Sequence, residues 1–369
     1  MYVMHRCRVW FLLSLVFVFT VGCPDSTNQT DDPNSTGDPN SLDPNNADTN
    51  DDFIDENADP IEARSGHTLT FVDDAVYLFG GQGAPVEVEK AMNPAKTSAG
   101  PFFNDLWRFN IDLSEYEKVK STGDGPAARS GHSAVVYNGK LHVMGGIASA
   151  GDVYRDAWRY DSQTNLWTKV SEGGPTLTDH SAAIVGDRMI VIGGNDGTSN
   201  RRETWIYDFV SGTWSQGADY PATHDLVKPP VYVADGKLHV VGTSDGAVYL
   251  YDVAANTWQT KLVSGVGPGQ LSGAAFCQTQ AGLAIMGGAD SSGLSAKTWM
   301  YSPANFSYTQ GADLPVPLYN AAASILSADG ITGVIFGGLT SNGQYSADTY
   351  KYQYSSSSRN LSFQKLSGN

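Results

Sequence analysis

The sequence predicts an all-β protein made of repeated units. Glycine, with 40 residues, and tyrosine, with 18, are abundant, whereas long helix-forming runs are scarce. This balance favours short strands joined by tight turns. Apolar runs that end in two adjacent glycines recur along the chain, at Gly80-Gly81, Gly145-Gly146, Gly193-Gly194, Gly287-Gly288 and Gly337-Gly338. Such a repeat predicts one folded unit rather than several unrelated domains.

Aligned on the glycine pairs, the chain divides into six units. In each unit a polar turn leads into a first apolar strand, and a second apolar strand ends at the glycines, or at Gly242-Thr243 in the fourth unit. A strand that carries a Trp or Tyr near its start follows. In five units another aromatic residue comes nine positions later, in the pairs Trp107 and Tyr116, Trp158 and Trp167, Trp205 and Trp214, Tyr249 and Trp258, Trp299 and Tyr308.

This combination of a glycine pair and two spaced aromatic residues resembles the kelch repeat, over about residues 61 to 368. The resemblance implies a six-bladed kelch-type β-propeller with four-stranded antiparallel blades. The tryptophans would pack between blades, so Trp205→Ala should cost roughly 3 to 5 kcal/mol if Trp205 is fully buried. Closure of the ring would rest on packing between the first and last blades, unless the segment around Phe53 and Ile54 adds a strand.

The N-terminal region predicts a bacterial lipoprotein. Residues 1–22 have the layout of an export signal, and the ending TVGC resembles a lipobox in which Cys23 is lipidated, although Thr20 departs from that pattern. A plain secretory signal or an uncleaved anchor are the alternatives. Residues 23–60 contain eleven acidic and no basic side chains, which predicts a disordered acidic tether between the lipid anchor and the propeller of residues 61–369. The expected location is the bacterial cell envelope, at the outer membrane or cell surface.

The acidic tether also contains a partial match to a calcium loop. Carboxylate and amide oxygens recur at the required spacing, but Phe53 replaces the glycine of the sharp turn, so a solvated linker is favoured and no cofactor is expected; the matching residues are Asp48, Asn50, Asp52, Glu56 and Asp59. The net charge of −16 disfavours nucleic acid as a partner, because phosphate backbones are repelled. Cys277 is expected to be a buried structural thiol.

Candidate ligand contacts lie on one face, where the resemblance places the loops after the glycine pairs and those before each first strand. The long loop from Gln82 to Phe103 offers Phe102 and Phe103, which could instead pack the loop onto its blade. Arg64 and Arg129 precede the first strands of two units and could grip a carboxylate. The remaining candidates, each of which could also be a solvated turn residue, are Tyr154, Arg155, Asp196, Arg201, Arg202, His224 and Asp225.

Three histidines, His67, His132 and His180, occupy the same place in successive units. The resemblance implies a structural role for them rather than a metal site. Galactose oxidase contains a kelch propeller, but its copper radical chemistry needs further domains and a thioether between cysteine and tyrosine, and we expect this chain to have neither the room nor a suitable extra cysteine for them. A bacterial sialic acid mutarotase is a kelch propeller of similar size, and Arg201, Arg202 and Glu203 are the nearest local candidates for its chemistry.

The function that the sequence favours is binding of a protein or a glycan through the loops of one face. No catalytic motif points to a conventional enzyme. A carbohydrate-active enzyme, such as an epimerase or mutarotase, and a purely structural envelope protein remain the alternatives. A monomer is expected, with the lipid anchor as its only contact with a membrane.

Overall fold

The computed structural model describes residues 53–85, 100–148, 151–221, 226–358 and 360–366. The predicted signal, Cys23 and most of the acidic tether lie outside these residues. The described part of the chain contains no α-helix. It therefore contains no helix that is long and apolar enough to cross a membrane. The prediction of an all-β fold is confirmed.

The described strands form six four-stranded antiparallel sheets, the blades. Blade one contains β2 (Thr68–Val72), β3 (Ala75–Phe79), β5 (Leu106–Asn110) and β6 (Glu115–Lys118). Blade two contains β7 (Ser133–Tyr137), β8 (Lys140–Met144), β9 (Ala157–Asp161) and β10 (Leu166–Ser171). Blade three contains β11 (Ser181–Val185), β12 (Arg188–Ile192), β13 (Thr204–Asp208) and β14 (Thr213–Gln216).

Blades four to six repeat this order. Blade four contains β15 (Val231–Ala234), β16 (Lys237–Val240), β17 (Ala247–Asp252) and β18 (Thr257–Leu262). Blade five contains β19 (Ala275–Thr279), β20 (Gly282–Met286), β23 (Thr298–Ser302) and β24 (Ser307–Gln310), and blade six contains β25 (Ala322–Ile325), β26 (Thr332–Phe336), β27 (Thr349–Ser355) and β28 (Asn360–Lys365). Two short strand pairs lie in loops, β1 (Arg64–Ser65) with β4 (Gln82–Gly83) and β21 (Ala289–Asp290) with β22 (Gly293–Leu294).

The first strand of each blade lines a central channel. Neighbouring first strands contact one another around the ring, and β25 of blade six contacts β2 of blade one. At the joint between blades four and five, β15 reaches the second strand, β20. The predicted six-bladed propeller is therefore confirmed, and it places the starts of all six first strands around one mouth of the channel.

Aromatic side chains fill the spaces between blades. The Phe79 ring of blade one lies 5.2 Å from the Trp167 ring of blade two. Trp107, Trp158 and Trp299 are buried, with 4 to 7% of their surface exposed. Trp205 is only half-buried, so the condition attached to the predicted cost of Trp205→Ala is not met.

Side-chain packing and loop hydrogen bonds close the ring. One core cluster combines residues of blade one with Phe336 of blade six, whose ring lies 4.9 Å from that of Tyr116. The Gly338 N–H donates to the carbonyl of Arg64 across the same joint at 2.8 Å. Ile54 makes a single bridge to Val119 at the outer edge of blade one, so the segment around it adds no closing strand.

The glycine pairs make the close approach of adjacent blades possible. Gly145 and Gly146 both have positive φ, at 64° and 96°. A Cβ at Gly145 would lie 2.5 Å from the Leu177 carbonyl oxygen and 2.8 Å from Cε1 of His180 in the next blade. The Gly146 N–H meanwhile donates to the same Leu177 carbonyl at 2.9 Å. The pair therefore provides both the turn and the space in which the next blade docks.

The free thiol lies inside blade five. Cys277 is buried, with its sulfur 2.8 Å from the hydroxyl of Tyr352 in blade six. Burial raises the pKa of this thiol to about 12, so it is a neutral thiol at physiological pH. The prediction of a buried structural thiol is confirmed.

Replacing Trp158 by alanine should lower the free energy of unfolding by about 3 to 5 kcal/mol, because it opens a cavity between the first two blades. The substitution also removes the indole N–H that donates to Asp156 at 2.6 Å. Trp205→Ala is the matched control and should cost clearly less, since Trp205 is half-buried. Chemical denaturation followed by circular dichroism measures both, and equal losses would contradict the assigned packing.

Candidate functional site

Five loops at one mouth of the channel are paired at their described bases; residues 86–99 of the blade-one loop and 149–150 of the blade-two loop lie outside the described residues. The residue after each glycine pair bridges to a residue just before a first strand, in the pairs Ser65 and Gln82, Ser130 and Ile147, Thr178 and Asn195, Ser272 and Ala289, Tyr319 and Leu339. Further bridges within these loops join Ile147 to Val153, Asn195 to Asn200 and Leu339 to Tyr345. We call these loops of blades one, two, three, five and six the hairpin crown. Backbone pairing fixes the described bases of these loops before any ligand arrives.

Blade four has a tight turn where the crown has a hairpin elsewhere. Its turn closes when the Gly246 N–H donates to the Thr243 carbonyl at 3.1 Å. A cleft of about 570 Å³ lies beside this turn, lined by Ser244 and by residues of blade five that include Gln270, Ser272 and Asp290. The crown is therefore lowest over blade four.

A ring of six residues surrounds the channel at the base of the crown. Each precedes a first strand and has positive φ, between 47° and 68°; they are Gly66, Gly131, Asp179, Lys228, Gly273 and Asn320. At five of the six joints, the backbone N–H of one ring residue donates to the carbonyl of the residue before it in the ring, at 2.6 to 2.9 Å. Among the described residues no such bond joins Gly273 to Lys228. We call these six residues the mouth belt.

The three histidines lie just inside the mouth belt and bind neighbouring blades together. His132 Nε2 lies 3.0 Å from the Thr68 hydroxyl of blade one, and His180 Nε2 lies 2.8 Å from the Ser133 hydroxyl of blade two. Burial lowers the pKa of all three, to about 4 for His180, so their imidazoles are neutral at physiological pH. In the described part of the chain no three His, Cys, Asp or Glu side chains cluster closely enough to hold a metal ion.

A cavity of about 110 Å³ fills the channel at the level of these histidines. Its wall also contains Lys228 and a set of alanines that includes Ala134, Ala182 and Ala322. Desolvation lowers the pKa of Lys228, and Asp179 partly opposes that effect. Desolvation likewise raises the pKa of Asp179, which the Lys228 charge opposes. These two charges at the channel mouth were not among the sequence candidates.

Arg64 and Arg129 are fully buried and act within their own blades. Both nitrogens of the Arg129 fork donate to the carboxylate of Asp156, at 2.7 and 3.0 Å, and Arg64 holds Asp105 in the same way. Trp158 donates to Asp156 as well. Because neither guanidinium is exposed, neither is available at the mouth to grip a ligand carboxylate. Asp105 and Asp156, which stand two positions before Trp107 and Trp158, were the sequence signal for this pairing.

The aromatic candidates next to these arginines also face inward. The Arg64 guanidinium lies 4.0 Å from the centre of the Phe103 ring, and that of Arg129 lies 4.2 Å from the Tyr154 ring. Phe102 is half-buried and bridges to Gln82, so this end of the long loop packs onto blade one. The contacts of Phe102 and Phe103 therefore fit the alternative expectation, in which these residues pack the long loop onto blade one.

The remaining candidates form separate groups on the crown. Arg201 pairs with Asp196 within the hairpin of blade three and lies 3.5 Å from Glu203. Arg202 and Arg155 are exposed, and Arg155 donates to the Glu172 carbonyl at 2.8 Å. The structure does not gather these side chains into one pocket. His224 and Asp225 lie outside the described residues.

Comparison with known proteins identifies the repeat. A family model described as the "KLHDC2/KLHL20/DRC7 Kelch-repeats domain" matches residues 29–171 and 66–243. The Drosophila melanogaster leucine-zipper-like transcriptional regulator 1 homolog is 26% identical over 326 residues, which cover 79% of this chain and 31% of that protein. Mus musculus kelch domain-containing protein 3 is 31% identical over 135 residues, 36% of this chain and 32% of that protein. The chain thus spans about a third of the length of these curated relatives.

A solved structure supports the fold. The structure titled "Structure of YjhT" superposes with a TM-score of 0.61 at 16% sequence identity, and the match covers 82% of this chain and 97% of that one. At this identity the likeness concerns the propeller architecture alone.

The pair of Arg129 and Asp156 should make stability depend on pH. Burial raises the pKa of Asp156, but the hydrogen bonds and charge of Arg129 outweigh this and leave the pKa below its usual value. The stabilisation is therefore complete above about pH 4 and is lost as the pH falls through the lowered pKa.

Asp156→Asn should lower the free energy of unfolding at pH 7 by roughly 3 to 5 kcal/mol and reduce its dependence on pH below 4, because Arg129 keeps a buried charge without a partner. Lys140→Met, which breaks the half-exposed pair with Asp161, is the control and should cost at most about 1 kcal/mol. Denaturation curves at pH 7 and pH 3 measure both. A pH dependence that is unchanged in Asp156→Asn would refute the assignment.

Proposed function

This chain belongs to the kelch-repeat family, and on that premise we propose that it is a binding protein whose hairpin crown receives a protein partner. Propellers of this family commonly mediate protein interactions. The observation that carries the proposal is the crown itself, in which backbone pairing fixes the described bases of five loops around one mouth of the channel. Loops that are ordered before binding lose less conformational entropy when a partner docks.

The shape of the crown suits a macromolecular partner better than a small sugar. Its exposed hairpin tips, such as Ser199 and Asn342, stand on different blades and present separate contact points. The low wall at blade four adds a cleft beside Ser244 that a partner loop can enter. A carbohydrate-active enzyme needs titratable groups that converge on one substrate. The three histidines along the channel instead have buried ring nitrogens, and His132 and His180 contact hydroxyls in the joints between blades.

Ser199→Arg combined with Asn342→Arg should abolish partner binding, because both changes add bulk and charge at exposed hairpin tips without touching the core. Val210→Arg is the matched control, since Val210 is 79% exposed in the turn between β13 and β14 at the opposite face. The unmodified protein, the double tip variant and Val210→Arg are each immobilised, and affinity capture with quantitative mass spectrometry measures the binding of partners to each. A partner that tolerates both tip substitutions, or that Val210→Arg alone removes, would exclude the crown.

A glycan array provides the second arm of this experiment. Selective binding of a glycan that is lost in the tip variant would replace the protein partner by a glycan at the same face. Equal glycan binding by all three proteins would exclude the crown as the glycan site.

We further propose that the chain is exported as a lipoprotein and tethered at the bacterial cell envelope through Cys23. The proposal rests on the apolar run of residues 9–21, the TVGC ending and the acidic stretch that follows it. Lipidation of Cys23 would attach the chain to the membrane, and the acidic stretch would serve as a linker to the propeller.

Cys23→Ser should move the protein from the membrane fraction to the soluble fraction of its native host, because the residue that carries the lipid is lost. Cys277→Ser is the control and should leave the distribution unchanged, since that thiol is buried in the propeller. Quantitative blotting of the two fractions measures the shift. Continued retention of Cys23→Ser in the membrane would count against lipidation.

A further inference from the structure

Lys228 places a positive charge inside the channel, and no residue of the described part of the chain pairs with it. Its half-buried side chain lines the cavity below the mouth belt. Among the described residues its ammonium group forms no ion pair, and Asp179 acts on it through its charge alone. A half-buried ammonium group that has no counter-ion among the described residues attracts an anion.

The remaining wall of the cavity is uncharged. The three histidines are neutral, and the small side chains that include Ala134, Ala182 and Ala322 leave open space in front of the lysine. The Lys228 charge acts on both His67 and His132, which belong to blades one and two, so its field extends across the channel. A single cation matches a ligand with a single negative charge, and Asp179 would repel a dianion.

The size and polarity of the channel define the rest of the ligand. The cavity of about 110 Å³ is smaller than the roughly 150 Å³ cavity that encloses benzene in another protein, which limits its contents to a few non-hydrogen atoms. The next segment of the channel measures about 470 Å³ and shares Leu69 and Ala134 with the first. It is lined mainly by apolar side chains such as Val135, Ile184 and Val231. A charged head at Lys228 with a short apolar tail fits both segments.

We propose that the channel binds a short-chain aliphatic monocarboxylate, with its carboxylate at Lys228 and its alkyl chain directed into the apolar segment. The site is separate from the hairpin crown and does not depend on the protein-binding proposal. The proposal concerns only the binding and orientation of the carboxylate and includes no chemical reaction.

Titration of the full-length protein with sodium acetate, propionate and butyrate at constant ionic strength tests the proposal by calorimetry. Affinity should rise about three- to fourfold with each added methylene, because each buries further apolar surface. Sodium sulfate, a dianion, and butylammonium chloride, a cation, serve as probes of the wrong charge and should not bind. Absence of saturable binding by all three acids, or equal affinity for all three, would overturn the proposal.

Three variants test the residues. Lys228→Met should weaken butyrate binding at least tenfold, because it removes a charge-assisted hydrogen bond. Asp179→Asn should tighten binding severalfold, since it removes a repelling carboxylate, and asparagine tolerates the positive φ of 51° at this position. Ala134→Leu should abolish binding by filling the cavity while it leaves Lys228 in place.

Lys297→Met is the matched control, because Lys297 is an exposed lysine in the loop that precedes β23. Its affinity for butyrate should equal that of the unmodified protein. Opposite effects of Lys228→Met and Asp179→Asn distinguish a charged site from a general loss of structure, which would weaken binding in both. Binding that survives both Lys228→Met and Ala134→Leu would place the carboxylate elsewhere and overturn the proposal.

Discussion

The propeller depends on backbone hydrogen bonds between adjacent blades. Two such bonds recur at most joints: the second glycine of a pair donates to the chain entering the next blade, and the mouth belt residue donates to its predecessor in the ring. Both require backbone with positive φ, which lets the chains approach without a clash. Aromatic packing then fills the wedge between blades, and buried pairs such as Arg129 and Asp156 fix each loop above it.

The joint between blades four and five departs from this rule. Within the described residues it lacks the belt bond from Gly273 to Lys228, and Gly242-Thr243 supplies no second glycine to donate across the joint. The same joint borders the low wall of the crown and the cleft beside Ser244. A missing hairpin and two missing bonds distinguish this joint from the others, and it is instead joined by the Leu271 N–H, which donates to the Gly242 carbonyl at 3.3 Å.

The sequence alone predicts the blades well and the site poorly. Glycine pairs and spaced aromatic residues recur because every blade packs against its neighbours in the same way. Their period in the sequence therefore indicates the propeller fold. The exposure of a side chain depends instead on contacts with other parts of the fold, which the sequence of a single strand does not show. Arg64 and Arg129 precede first strands, where residues that bind a ligand at the mouth are expected, yet each pairs with an aspartate. Trp205 follows the repeat but lies half-buried for the same reason.

The mouth belt shows how a repeat acquires a site. Glycine occupies three of its six positions, and Asp179 and Asn320 belong to the residue types that tolerate positive φ. Lys228, with φ of 47°, gains no such local support, and a non-glycine residue in this conformation costs about 1 to 2 kcal/mol. Strain of this kind persists where a surrounding structure enforces it, and such residues cluster at functional sites. The belt holds its strained lysine at the joint that lacks the belt bond, with its side chain lining the cavity, so the asymmetry of the ring and the charge of the cavity lie at the same place.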